Sequence, residues 1–183
     1  MRADDGLLCR VVEMAVQGEE SAMDQLVALF SRDLWTFFVH HRYNLADAED
    51  LYQETWAKIL SHLRHLKDPT RFRSWAFSIA INNLRGLFRK QRPSDSEWLE
   101  DLVSLEPSPE QVTENRQAHH AMILAMGDLS ERDRTILILD CVSGVPQQEI
   151  ADLMDENLNT VKTIVRRAKL KLAKALMESG HVS

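Results

Sequence analysis

The stretch at residues 160–172 most constrains what this chain can fold into. Val161, Ile164, Val165, Ala168 and Leu172 recur at i, i+3, i+4, i+7 and i+11, which places them on one stripe of an α-helix. Lys162, Thr163, Arg166, Arg167, Lys169 and Lys171 cover the remaining faces, and no acid occurs between Thr160 and Met177. A shorter amphipathic helix is expected over residues 147–154, joined to the first by the bend Asp155-Glu156-Asn157-Leu158-Asn159. Asn157 and Asn159 are both residue types that cap helix N-termini. Two short helices, a tight turn and a basic second helix are the parts of a helix-turn-helix. In that motif the second helix enters the major groove and its polar side chains read base edges. A solvated basic face on an ordinary helix has the same pattern.

Glycine and proline are scarce, at 6 and 5 of 183 residues, which predicts an all-α chain. No apolar run approaches membrane-spanning length, and Met1-Arg2-Ala3-Asp4-Asp5 lacks signal-peptide architecture. Cys9 and Cys141 lie far apart without CxxC spacing. A reduced, cytoplasmic protein with neither disulfide nor zinc module is expected. Cys141 falls in an apolar helix, so burial and chemical inertness are expected of it. The net charge is −6, which looks wrong for a nucleic-acid binder, but the mean hides a pattern. Residues 71–92 carry Arg71, Arg73, Arg85, Arg89, Lys90 and Arg92 and no acid, and 160–174 form a second purely basic stretch. Between them, residues 93–115 carry seven acids and no Lys or Arg. Two basic blocks around an acidic connector suggest two nucleic-acid-facing surfaces on a protein that also contacts something else.

In chain order, helices are expected at residues 7–16, ended by Gly18, and at 22–41, capped by Ser21 with Leu26, Leu29, Phe30, Leu34, Phe37 and Phe38 inward. The next runs from Asp47 to about His65, with acids in its first turn where the helix dipole favours them. Leu51, Trp56, Ile59, Leu60 and Leu63 face inward and Asp50, Gln53, Glu54 and Lys58 outward. After the break at Lys67-Asp68-Pro69-Thr70, a basic helix spans about 71–90, with Phe72, Trp75, Ala76, Ile79, Ala80, Asn83, Leu84 and Leu87 on one face. That face reads equally as core with a solvated rim or as a stacking platform for unpaired bases. Residues 94–109 read as an interdomain linker. A helix at 110–126 closes at Gly127, and Ser130 caps the next, which sends Ile136, Leu137 and Leu139 into a second core. His40-His41, His62/His65 and His119-His120 are the only metal-like constellations; no Cys or carboxylate pair completes them, so they read as surface histidines.

Two stretches in order resemble the sigma-70 family of bacterial RNA polymerase, and more narrowly its extracytoplasmic-function (ECF) group. Asp47-Ala48-Glu49-Asp50-Leu51-Tyr52-Gln53-Glu54-Thr55-Trp56 is similar to the family's core-polymerase-binding helix. Residues 71–82, from Arg71-Phe72-Arg73-Ser74-Trp75 to Asn82, are similar to its promoter-melting segment. Leu129-Ser130-Glu131-Arg132, Glu149-Ile150-Ala151 and Thr160-Val161-Lys162 are similar to its C-terminal region. The resemblance covers about residues 22–176. It implies two small helical domains, region 2 over 1–92 and region 4 over 116–183, joined by an acidic linker at 93–115.

The resemblance also implies roles. Asp47, Asp50, Leu51, Gln53 and Glu54 would dock on the coiled coil of the polymerase's largest subunit. Lys67, Arg71, Phe72, Arg73, Trp75, Asn82, Arg85, Arg89 and Lys90 would engage the minus-ten promoter element, capturing flipped bases and gripping phosphates. Arg132, Thr160, Lys162, Thr163, Arg166, Arg167 and Lys169 would engage the minus-thirty-five element, where each good bidentate base contact contributes roughly 1–3 kcal/mol of discrimination. Core RNA polymerase, promoter DNA and an anti-sigma factor are the expected partners, with no membrane insertion, cofactor, metal, small-molecule substrate or catalytic residue. Departures from the family pattern include Gly86 at a commonly acidic position and Asp155 at the usual glycine of the turn. A stand-alone helix-turn-helix regulator is the rival reading, and it leaves the Asp50/Gln53/Glu54 face unexplained.

Overall fold

The structure is a computed structural model and describes residues 5–41, 45–90 and 125–178. The expected linker at 93–115 and most of the expected helix at 110–126 lie outside those residues. Seven α-helices and two single 3-10 turns lie wholly within the described residues, which also include the helical residues 125–127, and no strand occurs among them. Four helices form the N-terminal bundle: α1 (Asp5–Val16), α2 (Glu20–Val39), α3 (Leu45–His62) and α4 (Phe72–Lys90). Three form the C-terminal unit: α5 (Glu131–Cys141), α6 (Gln147–Met154) and α7 (Leu158–Glu178).

The bundle follows its apolar spacing. Leu26, Phe30, Leu34, Phe37 and Phe38 put one side of α2 into the core with no exposed surface. Phe30 is the hub, with edge-on contacts to Trp56 of α3 and to Phe72 and Phe77 of α4 at ring-centroid distances of 6.2, 5.1 and 5.4 Å. Each such aromatic pair adds about 0.5–1.5 kcal/mol beyond the area it buries. Gly18 ends α1 at φ +94°, a backbone conformation that a side chain would strain. The break before α4 is built by Asp68, whose carboxylate accepts from Thr70 N at 3.0 Å ahead of the 3-10 turn Pro69–Arg71.

Several expectations are corrected. Helix α2 begins at Glu20 and Glu19 holds the cap position, so Ser21 lies inside the helix. Leu29 and Leu60 stay more than a third exposed, because each sits at the margin of its helix's stripe. On α4 the core face is rotated: Phe77 and Ile81 are buried while Trp75 and Ile79 are half-exposed. Cys141 is exposed, since it is the last residue of α5 and lies beyond the turn that carries Ile138 and Leu139 inward. Partial burial and the adjoining Asp140 carboxylate push its thiol up, so it is still a poor nucleophile. His41, expected at the surface, is 1% exposed.

Helix α5 is buried nearly all round, with Arg134, Thr135, Ile136, Leu137, Ile138 and Leu139 all withdrawn from solvent. A helix buried on every side of its middle turns must be central to its unit: α5 packs on α6 and α7, and its Thr135 meets His41 of the bundle. The two units share one continuous apolar core that runs from Leu8 to Val165. Polar contacts also cross between them. His41 Nε2 and Thr135 Oγ1 are 2.8 Å apart, and Arg73 Nη1 donates to the Ser143 carbonyl at 3.4 Å.

Candidate functional site

Three surfaces carry the residues singled out in the sequence. The first is the helix-turn-helix. Ser130 Oγ accepts from Asp133 N at 3.1 Å and starts α5 as expected. Asp155 adopts the left-handed conformation (φ 54°, ψ 50°) that closes α6 and turns the chain. Asn157 Oδ1 accepts from Asn159 N at 2.8 Å, so the cap of α7 is Asn157. Val161, Val165 and Ala168 are buried, and Lys162, Thr163, Arg166 and Arg167 are exposed on the opposite side of α7. Thr160 is half-buried.

Two cations assigned to this surface have intramolecular work. Arg132 pairs with Glu156 in the turn. Lys169 Nζ donates to Asp140 Oδ2 at 2.8 Å, and Asp140 Oδ1 accepts from Gln147 Nε2 at 2.7 Å. One carboxylate thereby ties the end of α5 to the first residue of α6 and the middle of α7. Burial opposes the charge on Asp140, but the bonds from Lys169 and Gln147 outweigh it and hold the carboxyl below the usual range. Arg134, which the sequence reading passed over, is 7% exposed and donates to the carbonyls of Met126, Gly127 and Leu129. The signal for it is a lone arginine inside an otherwise buried helical run, at a distance where it can satisfy the end of the preceding helix.

The second surface is a groove of about 520 Å³ between α3 and α4, lined by Asp47, Asp50, Leu51 and Glu54 on one wall and Asn82, Gly86 and Arg89 on the other. Asp50, Gln53 and Glu54 are exposed, whereas Leu51 is 4% exposed and serves the core. Lys58 bridges the two walls, with Nζ donating to Glu54 Oε1 at 2.6 Å and to Asn83 Oδ1 at 2.5 Å; Asn83 Nδ2 donates in turn to Thr55 Oγ1 at 2.8 Å.

The third is a cleft of about 400 Å³ between the two units. Lys67, Asp68, Arg71, Ser74, Trp75 and Ser78 line it from the bundle and Glu149, Asp152 and Leu153 from α6. Arg71 Nη2 is 3.9 Å from Asp152 Oδ2. The residues assigned to minus-ten recognition are therefore divided. Lys67, Arg71 and Trp75 share the cleft, while Asn82 and Arg89 share the groove with the acids of α3. Arg85 is exposed. Lys90 ends α4, and its side chain lies outside the described residues. Phe72 is 1% exposed and belongs to the core. Arg73 is 13% exposed, paired with Asp33 and Asp5 and lying over the Phe30 ring at 5.8 Å. Neither side chain is presented to solvent in this arrangement. Among the described residues no His/Cys/Asp/Glu group could hold a metal, and no helix is long and apolar enough to cross a membrane.

Residues 26–94 match the Sigma-70 region 2 family and residues 119–172 match Sigma-70, region 4. The RNA polymerase sigma factor SigV of Bacillus subtilis is 32% identical over 143 residues, covering 76% of this chain and 81% of that protein. The ECF RNA polymerase sigma factor BldN of Streptomyces coelicolor is 27% identical over 184 residues, covering 98% of this chain and 69% of that protein. Among solved structures, CnrH in complex with the cytosolic domain of CnrY superposes with a TM-score of 0.66 at 25% identity, covering 93% of this chain and 97% of that one. The chain belongs to the sigma-70 family. Within that family it is a member of the ECF group.

Proposed function

We infer that this protein binds core RNA polymerase and directs promoter-specific initiation of transcription, contributing no catalytic step of its own. The observation that carries this is the pairing of both family regions, in order, with two oppositely charged exposed faces: the acids of α3 and the cations of α7. Asp50, Gln53 and Glu54, with Asp47 at the groove, are the docking residues. Carboxylates there suit a basic coiled coil and set its register by charge complementarity. Lys67, Arg71 and Trp75 take unstacked minus-ten bases and their phosphates; Asn82, Arg85, Arg89 and Lys90 extend that surface. Lys162, Arg166 and Arg167 read the minus-thirty-five major groove, with Thr160 and Thr163 at the helix N-terminus. Arg132 and Lys169 act in the same surface by fixing the turn and the tilt of α7, and Leu51, Phe72 and Arg73 by holding the bundle. The units correspond to residues 1–92 and 116–183, with 93–115 between them.

Cytoplasmic residence follows from that role. CnrH is captured with CnrY, and by extension an anti-sigma partner is proposed for this chain. The test is run-off transcription by core RNA polymerase on a library of random upstream sequences, with and without the protein. Initiation that depends on the protein and enriches two spaced elements is expected. Sequence-specific DNA binding without initiation would replace this reading with a stand-alone regulator.

A further inference from the structure

Lys169 stands on α7 where a contact to the DNA backbone is expected. Lys162, Arg166 and Lys169 recur at i, i+4 and i+7, so they share one side of the helix. Seven residues advance about 10.5 Å along the axis, and the major groove is ~12 Å wide. With Lys162 at base edges, position 169 falls at the rim of the groove, beside phosphates. Its ammonium is nevertheless engaged within the protein. Nζ donates to Asp140 Oδ2 at 2.8 Å, and of the two side chains the acid is the enclosed one, 12% exposed against 54% for the lysine.

The same carboxylate has two other donors. Its Oδ1 accepts from Gln147 Nε2 at 2.7 Å, and its Oδ2 accepts from the Cys141 thiol at 3.5 Å. One anion thereby gathers the end of α5, the first residue of α6 and the middle of α7. A backbone contact carries no sequence information, and attraction to phosphates acts wherever a helix lies on a duplex. A free cation at position 169 would draw the far half of α7 toward the nearest phosphate on any sequence. The exposed side chains that reach base edges, Lys162, Arg166 and Arg167, need a fixed orientation instead, because bidentate base contacts are directional.

We propose that Asp140 is a positioning residue for duplex recognition: it holds Lys169 off the DNA backbone and locks α7 against α6, so that the helix is placed by its base-reading side chains and not by phosphate attraction. This rests on the functional reading above, which sets α7 on the upstream promoter element, and it names the residue that orients the helix there. Asp140 itself touches no DNA in this role and acts through Lys169 and Gln147.

The test is a double-mutant cycle on the full chain, read as the salt dependence of binding to a fluorescent random-sequence duplex of about two helical turns. Asp140→Asn keeps the shape of the side chain and frees the ammonium. One added phosphate contact steepens the slope of log affinity against log salt by about 0.9, so the affinity lost between about 50 and 200 mM salt should grow by roughly threefold to fourfold. Lys169→Gln should not flatten the wild-type slope, yet in the Asp140→Asn background it should cancel the increase. Asp140→Glu retains the charge and the reach to Lys169 and should restore the wild-type slope. Asp155→Asn removes one negative charge from the exposed turn, at a left-handed position (φ 54°) that asparagine accepts, and controls for net charge.

Equal slopes in wild type and Asp140→Asn would overturn the proposal. So would an Asp155→Asn slope as steep as that of Asp140→Asn, or a wild-type slope that Lys169→Gln flattens by about 0.9, since Lys169 would then already touch phosphate. The second readout is run-off transcription with core polymerase on the random upstream library. Asp140→Asn should initiate from a broader set of upstream elements than wild type, with the downstream element unchanged. A uniform fall in initiation from an unchanged set would make Asp140 a stability residue only. The duplex titrations need no polymerase, so absence of initiation by the wild type would sink the sigma reading and leave the Asp140 result standing for a stand-alone regulator.

Discussion

His41 shows how much a single buried side chain can decide. Its Nδ1 is 2.6 Å from the Phe37 carbonyl, so Nδ1 carries the proton and donates, and Nε2 faces the Thr135 hydroxyl. Burial, with the nearby charges of Arg134 and His40 working the same way, pulls its pKa down to about 3 against the donor bond to Phe37. The unfolded chain titrates this group near ~6.5. Between those values the unfolded state binds the proton and the folded state does not, so stability falls as pH drops from about 6.5 toward 3 and is unaffected above that window. Urea unfolding from pH 7.5 to 4 should show this slope, and His41→Gln should flatten it while lowering stability at neutral pH. A parallel slope in the variant would assign the pH dependence to other groups. Arg73 and Arg134 teach a related lesson. Arg73, in a basic stretch that looks like a nucleic-acid contact, and Arg134, between the acids of α5, are both enclosed by protein acceptors.

The elements follow their apolar period closely, and that part of the fold was legible in the sequence. Spacing located α1 to α4 and α5 to α7, residue type located the cap at Ser130, and of the two asparagines that suit the start of α7 the structure uses Asn157. Where the reading slipped, the competing term was tertiary. Ser21 is a better capping residue than Glu19, but docking of α2 on α1 sets where the helix starts. The inward face of α4 is decided by Phe30, which takes both Phe72 and Phe77. The candidate site was legible as a set of residue types and opaque as a geometry. Nothing in the spacing says that Asn82 and Arg89 lie across a groove from Asp50 and Glu54, or that Asp140 claims Lys169, because those pairings join elements far apart in sequence. Two predictions belong here. An added Cβ at Gly86 of α4 meets nothing within 4 Å, so Gly86→Ala should raise stability by about 0.5–1 kcal/mol, read as a thermal midpoint higher by roughly 1–4 °C. Reversing charge at Asp50 and Glu54 of α3 should abolish association with core polymerase while lowering stability by no more than about 1 kcal/mol, the cost of turning the exposed Glu54–Lys58 pair into a repulsive one. Pull-down beside thermal melting checks it, and retained association would move the docking surface elsewhere.

At the scale of the whole molecule, two small units share a core that neither completes alone. The middle of α5, residues 134–139, is withdrawn from solvent by α6 and α7, and the His41–Thr135 contact joins it to the bundle. Any opening of the chain exposes apolar surface on both sides, which a partner must then cover. Ser143 sits at that seam with its hydroxyl buried and unbonded among the described residues, a weak point in an otherwise satisfied joint.

The contact between Arg71 and Asp152 has a further consequence for how the protein changes over generations. Arg71 and Trp75 line one wall of a cleft whose other wall carries Glu149 and Asp152, so a substitution on either wall is felt by the other. Positions 71, 75, 149 and 152 are therefore expected to vary together among related chains, and independent variation would show that the contact imposes no constraint.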